Sequence, residues 1–323
     1  MDVSIIIVNF NGLGIIEDCI RSIYKYAGSE KSIGSFSYEI IVADNASYDG
    51  SARMIEEMAG CKGRGNLKVI LLEKNYGFAH ASNVAAKASG GDYLLFLNPD
   101  TELIEPGLES FIDFYKKKSA SGKTGAAAVK LLNDDMSLQY SCRSFLTLAR
   151  QFYESFFLSR LFKKSRVFGS YFMTFSNHGQ TMEVDWLSGA FMFIARDIFF
   201  AAGCFDMDYF MYSEDSDLCL KLARLGYKNY YYPFYCIKHK DAAIASSDPS
   251  ARDLQIARSR KLYFKKNYSN AHSSAFSIIY FFHIIIRIAI YYIISLAGKK
   301  NIRQKAKIRA GNYIRALKMY FCR

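Results

Sequence analysis

Four apolar runs punctuate the first hundred residues: Ser4–Val8, Glu39–Ala43, Lys68–Leu72 and Tyr93–Leu97. In the fourth, Leu94, Leu95, Phe96 and Leu97 show no alternation, as in a strand covered on both faces. Helical patterns separate the runs. Ile15, Ile16, Cys19, Ile20 and Ile23 mark a face of period 3.6, and "DNASYDGSARMIEEM" turns and then starts a helix. "NYGFAHASNVAAKASG" is Ala-rich, with Gly90-Gly91 as the expected C-cap. This alternation predicts an α/β protein with a mostly parallel, doubly wound, Rossmann-like sheet and helices on both faces.

A second block runs from about residue 125 to 240. It carries an aromatic and basic insertion (Arg143 to Gln180), then "VDWLSGAFMFIAR" and a helix from Ser213 to Leu225. Residues 275–298 are apolar for 24 positions, long enough to cross a bilayer. Yet His283, Arg287, Tyr291 and Ser295 recur every fourth residue, and basic clusters flank both ends. A spanning helix usually carries its cations on one side. An in-plane or partly inserted helix is therefore favoured over a span or a buried core helix. The expected organisation is a domain over 1–265, with halves at about 1–124 and 125–265, and a basic helical tail over 266–323.

Charge sharpens this picture. The formal net charge is +12, but Asp253 is the last acid, and 15 Lys and Arg follow it. Before that point 27 basic residues face 30 acidic ones. A near-neutral body with a cationic tail points to an anionic surface met at one end, read here as a membrane and not a nucleic acid. The seven cysteines include no CxxC pair, which argues against structural zinc and a disulfide framework and fits a reducing cytosol. No signal peptide is expected, since Met1-Asp2 runs directly into "VSIIIVNF".

Polar residues follow each apolar run: Asn9 and Asn11, then Asp44, Asn45 and Ser47, then Asn75, then Asn98 and Asp100. Such residues make turns, but four polar turns at the carboxyl edge of one parallel sheet make a nucleotide-sized site. No GxxxxGK[ST] loop is present, and Gly12 and Gly14 lack the third glycine of a dinucleotide fingerprint, so kinase-like and dehydrogenase readings lose support. Pro99 stops the fourth strand near Asn98 and leaves Asp100 just beyond it, where a carboxylate can hold Mg2+ or Mn2+ beside substrate phosphates. The next helix is expected to begin at Pro106, so Asp100 is not needed as its cap. In "FMYSEDSDLCLKLARLGY", Ser213 is a candidate cap with Glu214, Asp215 and Asp217 in the first turn. Acids there favour the helix dipole. Three of them exceed that need, which makes one a candidate general base.

The stretches "SIIIVNFNG", "IIVADNASYDGS", "NYGFAHASN", "LLFLNPDTEL", "WLSGAFMFIAR" and "FMYSEDSDLCLKLARLGY" together resemble glycosyltransferase family 2, and most of all its bacterial rhamnosyltransferase-like branch. The resemblance covers about residues 3–265. It implies a GT-A fold, a divalent metal, and inverting transfer from a nucleotide-diphospho-sugar (dTDP or UDP) to a saccharide acceptor. By that resemblance Asp44 would bind the nucleotide base, with Asn9, Asn11 and Ser47 nearby. Asp100 would be the metal-binding aspartate, although Asn98 stands where the D-x-D pattern has its first acid. His239 would reach the metal or diphosphate, and Arg258 and Lys261 are candidates for the diphosphate. Asp215, paired with Glu214, would deprotonate the acceptor, and Trp186 and Gly189 would lie at the sugar or acceptor pocket.

The expected enzyme works at the inner face of the plasma membrane on a lipid-linked acceptor, in cell-surface polysaccharide synthesis, with rhamnose the first guess. Two rivals remain. A sugar-nucleotide-forming nucleotidyltransferase would open with a glycine-rich, Arg-containing loop, and "NFNGLGII" has no Arg. A non-catalytic membrane-bound nucleotide-sugar binder would not need Asp100 together with the Glu214-Asp215 pair.

Overall fold

All four apolar runs become strands. The computed structural model describes residues 1–27, 36–61, 65–241, 249–297 and 299–321; Gly298 and Cys322 lie outside them. The first half alternates as the pattern predicts: β1 (Val3–Asn9), α1 (Ile15–Tyr26), β2 (Tyr38–Asp44), α2 (Ser51–Ala59), β3 (Leu67–Leu71), α3 (Phe78–Lys87) and β4 (Tyr93–Leu97). Next come β5 (Thr101–Leu103), α4 (Leu108–Ser121), β6 (Thr124–Leu132), β7 (Leu138–Gln139), β8 (Cys142–Arg143), α5 (Leu148–Ser155) and α6 (Leu158–Leu161). Then follow β9 (Met182–Val184), β10 (Trp186–Leu187), β11 (Phe191–Ala195), α7 (Arg196–Ala201), α8 (Glu214–Arg224) and β12 (Lys228–His239). Three helices close the chain: α9 (Pro249–Asn267), α10 (Asn270–Ala297) and α11 (Lys300–Phe321).

The main sheet runs β3-β2-β1-β4-β11-β6-β12-β5. β1 pairs in parallel with both β2 and β4, and β2 with β3. β11 enters antiparallel between β4 and β6, while β12 lies parallel to β6. The sheet is mostly parallel, and β1 is buried along its whole length. Because β1, β2 and β4 share one direction, Asn9, Asp44 and the turn after Leu97 fall on the same sheet edge.

Two helix-end expectations need correction. Helix α4 starts at Leu108 behind Gly107, two residues later than Pro106. Residues 104–107 form the turn between β5, which pairs antiparallel with β12, and the helix. Helix α3 ends at Ala88 with ordinary right-handed geometry, so Gly90-Gly91 is not its cap. Gly91 serves close approach instead: a Cβ there would lie 2.6 Å from the Ser4 backbone nitrogen.

The chain divides into two units, Met1–Phe145 with Phe172–Phe210 and Glu214–Ile244, and Leu146–Tyr171 with Met211–Ser213 and Ala245–Arg323. The second unit begins before residue 265 and takes in most of the aromatic insertion, unlike the expected partition. Within it, the polar stripe of α10 turns inward. Arg287 is buried, donating from Nη1 to the carbonyls of Ser155 at 2.9 Å and His283 at 3.2 Å, with its guanidinium 4.5 Å from the Phe157 ring centroid. Phe276 and Ile284 of α10 are buried, while other apolar residues of the helix face outward: Ile278, Ile293 and Leu296 are 60–62% exposed.

Candidate active site

At the first strand end, Asp44 is buried and held on every side. The Asn9 amide nitrogen donates to Oδ2 at 2.7 Å, and Ser47 donates its N–H to Oδ1 at 2.8 Å and its hydroxyl to Oδ2 at 2.7 Å. Asn9 is itself fully buried and lies 2.8 Å from the Ser51 hydroxyl, so it supports Asp44 rather than lining open space. Asn11 has φ of 53°, donates its N–H to Ser47 Oγ at 2.9 Å and accepts from the Tyr48 N–H at 3.0 Å. This knots the first two turns together and leaves the Tyr48 ring 85% exposed beside them. Asn75 accepts from the Gly77 N–H at 2.9 Å, a turn-forming contact. Gly77 itself is required by φ of 87° and by Phe210, whose carbonyl oxygen would lie 2.1 Å from a Cβ.

Past β4, Asn98, Asp100 and His239 converge. His239 sits at the end of β12, with Nε2 3.2 Å from Asp100 Oδ1 and 3.3 Å from Asn98 Nδ2. Its tautomer follows from Gln139. The Gln139 nitrogen faces two acceptors, Asn133 Oδ1 at 3.0 Å and the His239 carbonyl at 3.2 Å, so its oxygen is what accepts from His239 Nδ1 at 2.6 Å. In the neutral ring, with its proton on Nδ1, Nε2 presents a lone pair toward both the Asn98 amide nitrogen and Asp100. That lone pair and the Asp100 carboxylate oxygen are two electron-rich atoms facing each other, an arrangement that a shared cation relieves. Among the described residues no group of three or more His, Cys, Asp or Glu side chains is placed to hold a metal ion. The site thus fits a divalent ion held by two protein ligands whose other positions go to water and substrate.

The acidic first turn of α8 separates its three carboxyls. Asp217 is committed to structure, paired with Lys221 at 2.9 Å and accepting from the Tyr209 hydroxyl at 3.3 Å. Glu214 is buried, and its Oε2 has no hydrogen-bond partner among the described residues. Burial pushes its pKa well above the ordinary carboxylate value, and the neighbouring Asp215 charge adds to the effect. Burial raises Asp215 as well, but two backbone N–H groups oppose it, from Gly189 to Oδ2 at 3.1 Å and from Ser216 to Oδ1 at 2.7 Å. The positive charge of Arg143 acts in the same direction. Glu214 therefore binds a proton more tightly than an ordinary carboxyl does, while Asp215, which keeps partial solvent access, has an N–H donor on each oxygen.

Arg143 and Gln139 are functional candidates that spacing alone does not single out. β8 pairs antiparallel with β10, setting Arg143 opposite Trp186. The guanidinium lies 4.8 Å from the ring centroids of both Phe172 and Trp186. Trp186 is nearly buried and donates its indole N–H to the Ser144 carbonyl at 3.0 Å. Trp186 thus forms one wall of the slot that holds Arg143, and Gly189 contributes its N–H to Asp215. Arg258 and Lys261 line a cleft of the second unit with Met319 and Tyr320.

The comparisons with known proteins supply the family and the fold. A family model, Glycosyl transferase family 2, matches residues 4–179. Rhamnosyltransferase WbbL of Escherichia coli (strain K12) is 29% identical over 232 residues, spanning 69% of this chain and 79% of that protein. The N-acetylglucosaminyl-diphospho-decaprenol L-rhamnosyltransferase of Mycobacterium tuberculosis (strain ATCC 25618 / H37Rv) is 24% identical over 249 residues, or 71% of this chain and 75% of its own. In three dimensions the chain is similar to the mannosyltransferase PcManGT from Pyrobaculum calidifontis, solved with GDP-Man and Mn2+. The TM-score is 0.57 at 17% identity, covering 98% of this chain and 86% of that one. The fold is GT-A.

Proposed function

The chain belongs to glycosyl transferase family 2 and is a glycosyltransferase, and we propose that it moves a rhamnosyl unit, with inversion, from a nucleotide-diphospho-sugar to a lipid-linked saccharide. The observation that carries this reading is the carboxyl pair on α8, in which the partly exposed Asp215 accepts from the Gly189 and Ser216 N–H groups beside a buried Glu214 whose Oε2 has no hydrogen-bond partner among the described residues. Inverting transfer needs a single base on the acceptor side, and Asp215 takes the acceptor hydroxyl proton as that oxygen attacks the anomeric carbon. Asp44 receives the nucleotide base, braced by Asn9, Asn11 and Ser47, with Tyr48 available to stack on it and Asn75 shaping the adjoining turn. Asp100 and His239, with Asn98 beside them, would hold Mg2+ or Mn2+, which would supply positive charge against the departing diphosphate. Trp186 and Gly189 stand behind the acceptor, through Arg143 and Asp215 respectively.

Rhamnose and a dTDP-linked donor are favoured because two relatives carry rhamnosyltransferase names, and the lipid-linked acceptor because one of those names includes diphospho-decaprenol. Attachment to the inner face of the plasma membrane rests on the second unit. α10 is long and apolar enough to cross a bilayer, and only 17% of its most apolar stretch is buried. A core helix would bury most of it. Exposed apolar side chains continue onto α11 and the insertion, with Ile308 59%, Leu161 73% and Phe162 52% exposed. A donor screen with membranes as acceptor source, read by product mass spectrometry, tests the proposal. Addition of a deoxyhexose from a dTDP donor supports it. Pyrophosphate release from a nucleoside triphosphate, or binding without turnover, overturns it.

A further inference from the structure

One face of α9 carries Arg258, Lys261 and Lys265, spaced i, i+3 and i+7. Together with Ser273 on α10 and Met319 and Tyr320 on α11, these residues line a cleft of about 310 Å³. We propose that this cleft, wholly within the second unit, is a headgroup site for the phosphate of a bilayer lipid. The inference rests on the membrane-surface reading of that unit.

The polar side of the cleft is built for an anion. Among the described residues none of the three cations forms an ion pair, and no acid follows Asp253 in the chain. Two of the cations are positioned by contacts that leave their charge uncompensated. Arg258 donates to the Met319 carbonyl at 3.4 Å, in the last turn of α11, and the Lys261 ammonium lies 5.3 Å from the Tyr320 ring centroid. The Tyr320 hydroxyl is anchored 3.3 Å from Ser277 Oγ. Placed so, the cations need not pay the full ordering entropy when an anion arrives.

The apolar side explains why that anion belongs to a lipid. Met319 and Phe321 on α11 are 46% and 39% exposed, and Phe281 and Ile278 on α10 are 39% and 60% exposed. The Phe281 and Phe321 rings meet at 5.7 Å. A soluble phosphate gains nothing from this flank. A headgroup whose acyl chains leave over it satisfies both the three cations and the exposed apolar surface.

The test uses the full chain and flotation on phosphatidylcholine vesicles containing either phosphatidic acid or phosphatidylserine, matched in surface charge. Each basic residue near such a surface contributes about fivefold in affinity by charge alone, so two triple variants of equal charge are compared. The wild type is expected to prefer phosphatidic acid by about tenfold. Arg258→Gln/Lys261→Gln/Lys265→Gln should abolish that preference. Lys299→Gln/Lys305→Gln/Lys307→Gln should weaken both bindings and keep it. Lys265→Gln alone, the mildest change, should reduce the preference. Equal affinity of the wild type for the two lipids overturns the proposal, as does loss of preference in both triple variants. Displacement by millimolar inorganic phosphate makes the ligand a free anion, and tighter capture of RNA makes it a nucleic acid; either overturns the lipid assignment. If the wild type floats with neither vesicle while still transferring sugar, the membrane reading fails and the glycosyltransferase reading stands.

Discussion

Replacing Asp215 by Asn removes the carboxylate while keeping its shape. A positioned base contributes 10² to 10⁴ in rate, so the chemical step should slow by about 100-fold or more, roughly 2.7 kcal/mol or above. The structure adds two refinements. Asn keeps one oxygen, so one of the two N–H donors, Gly189 at 3.1 Å or Ser216 at 2.7 Å, then faces an NH2 group. That mismatch costs about 1–3 kcal/mol of stability, which a thermal melt reads separately from rate. Removing the Asp215 charge relieves only the lesser of the two effects that raise the Glu214 pKa, because its burial, the larger, remains. The assay is single-turnover transfer beside a nucleotide-sugar titration, with donor affinity within about twofold of wild type because Asp44 and Asp100 are untouched. Near-normal turnover in Asp215→Asn with a dead Glu214→Gln variant would refute the assignment. Full activity in both variants would reduce the acidic turn to a dipole-stabilising role.

Glu214 binds its proton more tightly in the folded chain than in the unfolded one, so stability should fall as pH rises from about 4.5 through its raised folded value. Glu214→Gln should flatten that slope in chemical denaturation between pH 5 and pH 9, and an unchanged slope would contradict the raised value. Arg143→Met removes a charge that favours ionised Asp215, so the acidic limb of the kcat/KM profile should move to higher pH; an unchanged limb would leave Arg143 a packing residue. Arg143→Lys should restore only part of the shift, since an ammonium does not fill a flat slot between two rings. Chelation by EDTA should abolish transfer, and Mn2+ or Mg2+ should restore it, whereas Asp100→Ala should need far more metal or stay inactive; full activity in excess chelator would contradict the metal site. Changing Ile278, Ile293 and Leu296 to Asn should cut vesicle affinity by at least about 100-fold at roughly 1 kcal/mol or more per side chain, without lowering the melting temperature. Unaltered affinity would remove that face from the membrane contact.

What was legible in the sequence was local. Asp44, Asn98 and Asp100 stand directly after parallel strands, where strand polarity alone sends them to one edge, and Pro99 marks the stop of β4 at Leu97. The edge strand β5 was missed because three residues that pair only with β12, far along the chain, leave no local period. The same limit hid Gln139, which meets His239 across 100 residues, and the Arg143 slot, whose second wall, Phe172, lies late in the insertion. It also hid the membership of 146–171 in the second unit. The α10 stripe was visible, but which side of it faced protein was not, since a period of four is the same for a helix turned inward or outward. The inward packing of Arg287 on Ser155 decides that question.

The central claim is that Asp215 drives a single displacement at the anomeric carbon. The most direct measurement is the anomeric configuration of the transferred sugar, read by NMR on product made from a donor of known configuration. The account predicts complete inversion, with the reaction lost in Asp215→Asn. Retention of configuration, or inversion that persists at the full rate in that variant, would contradict it.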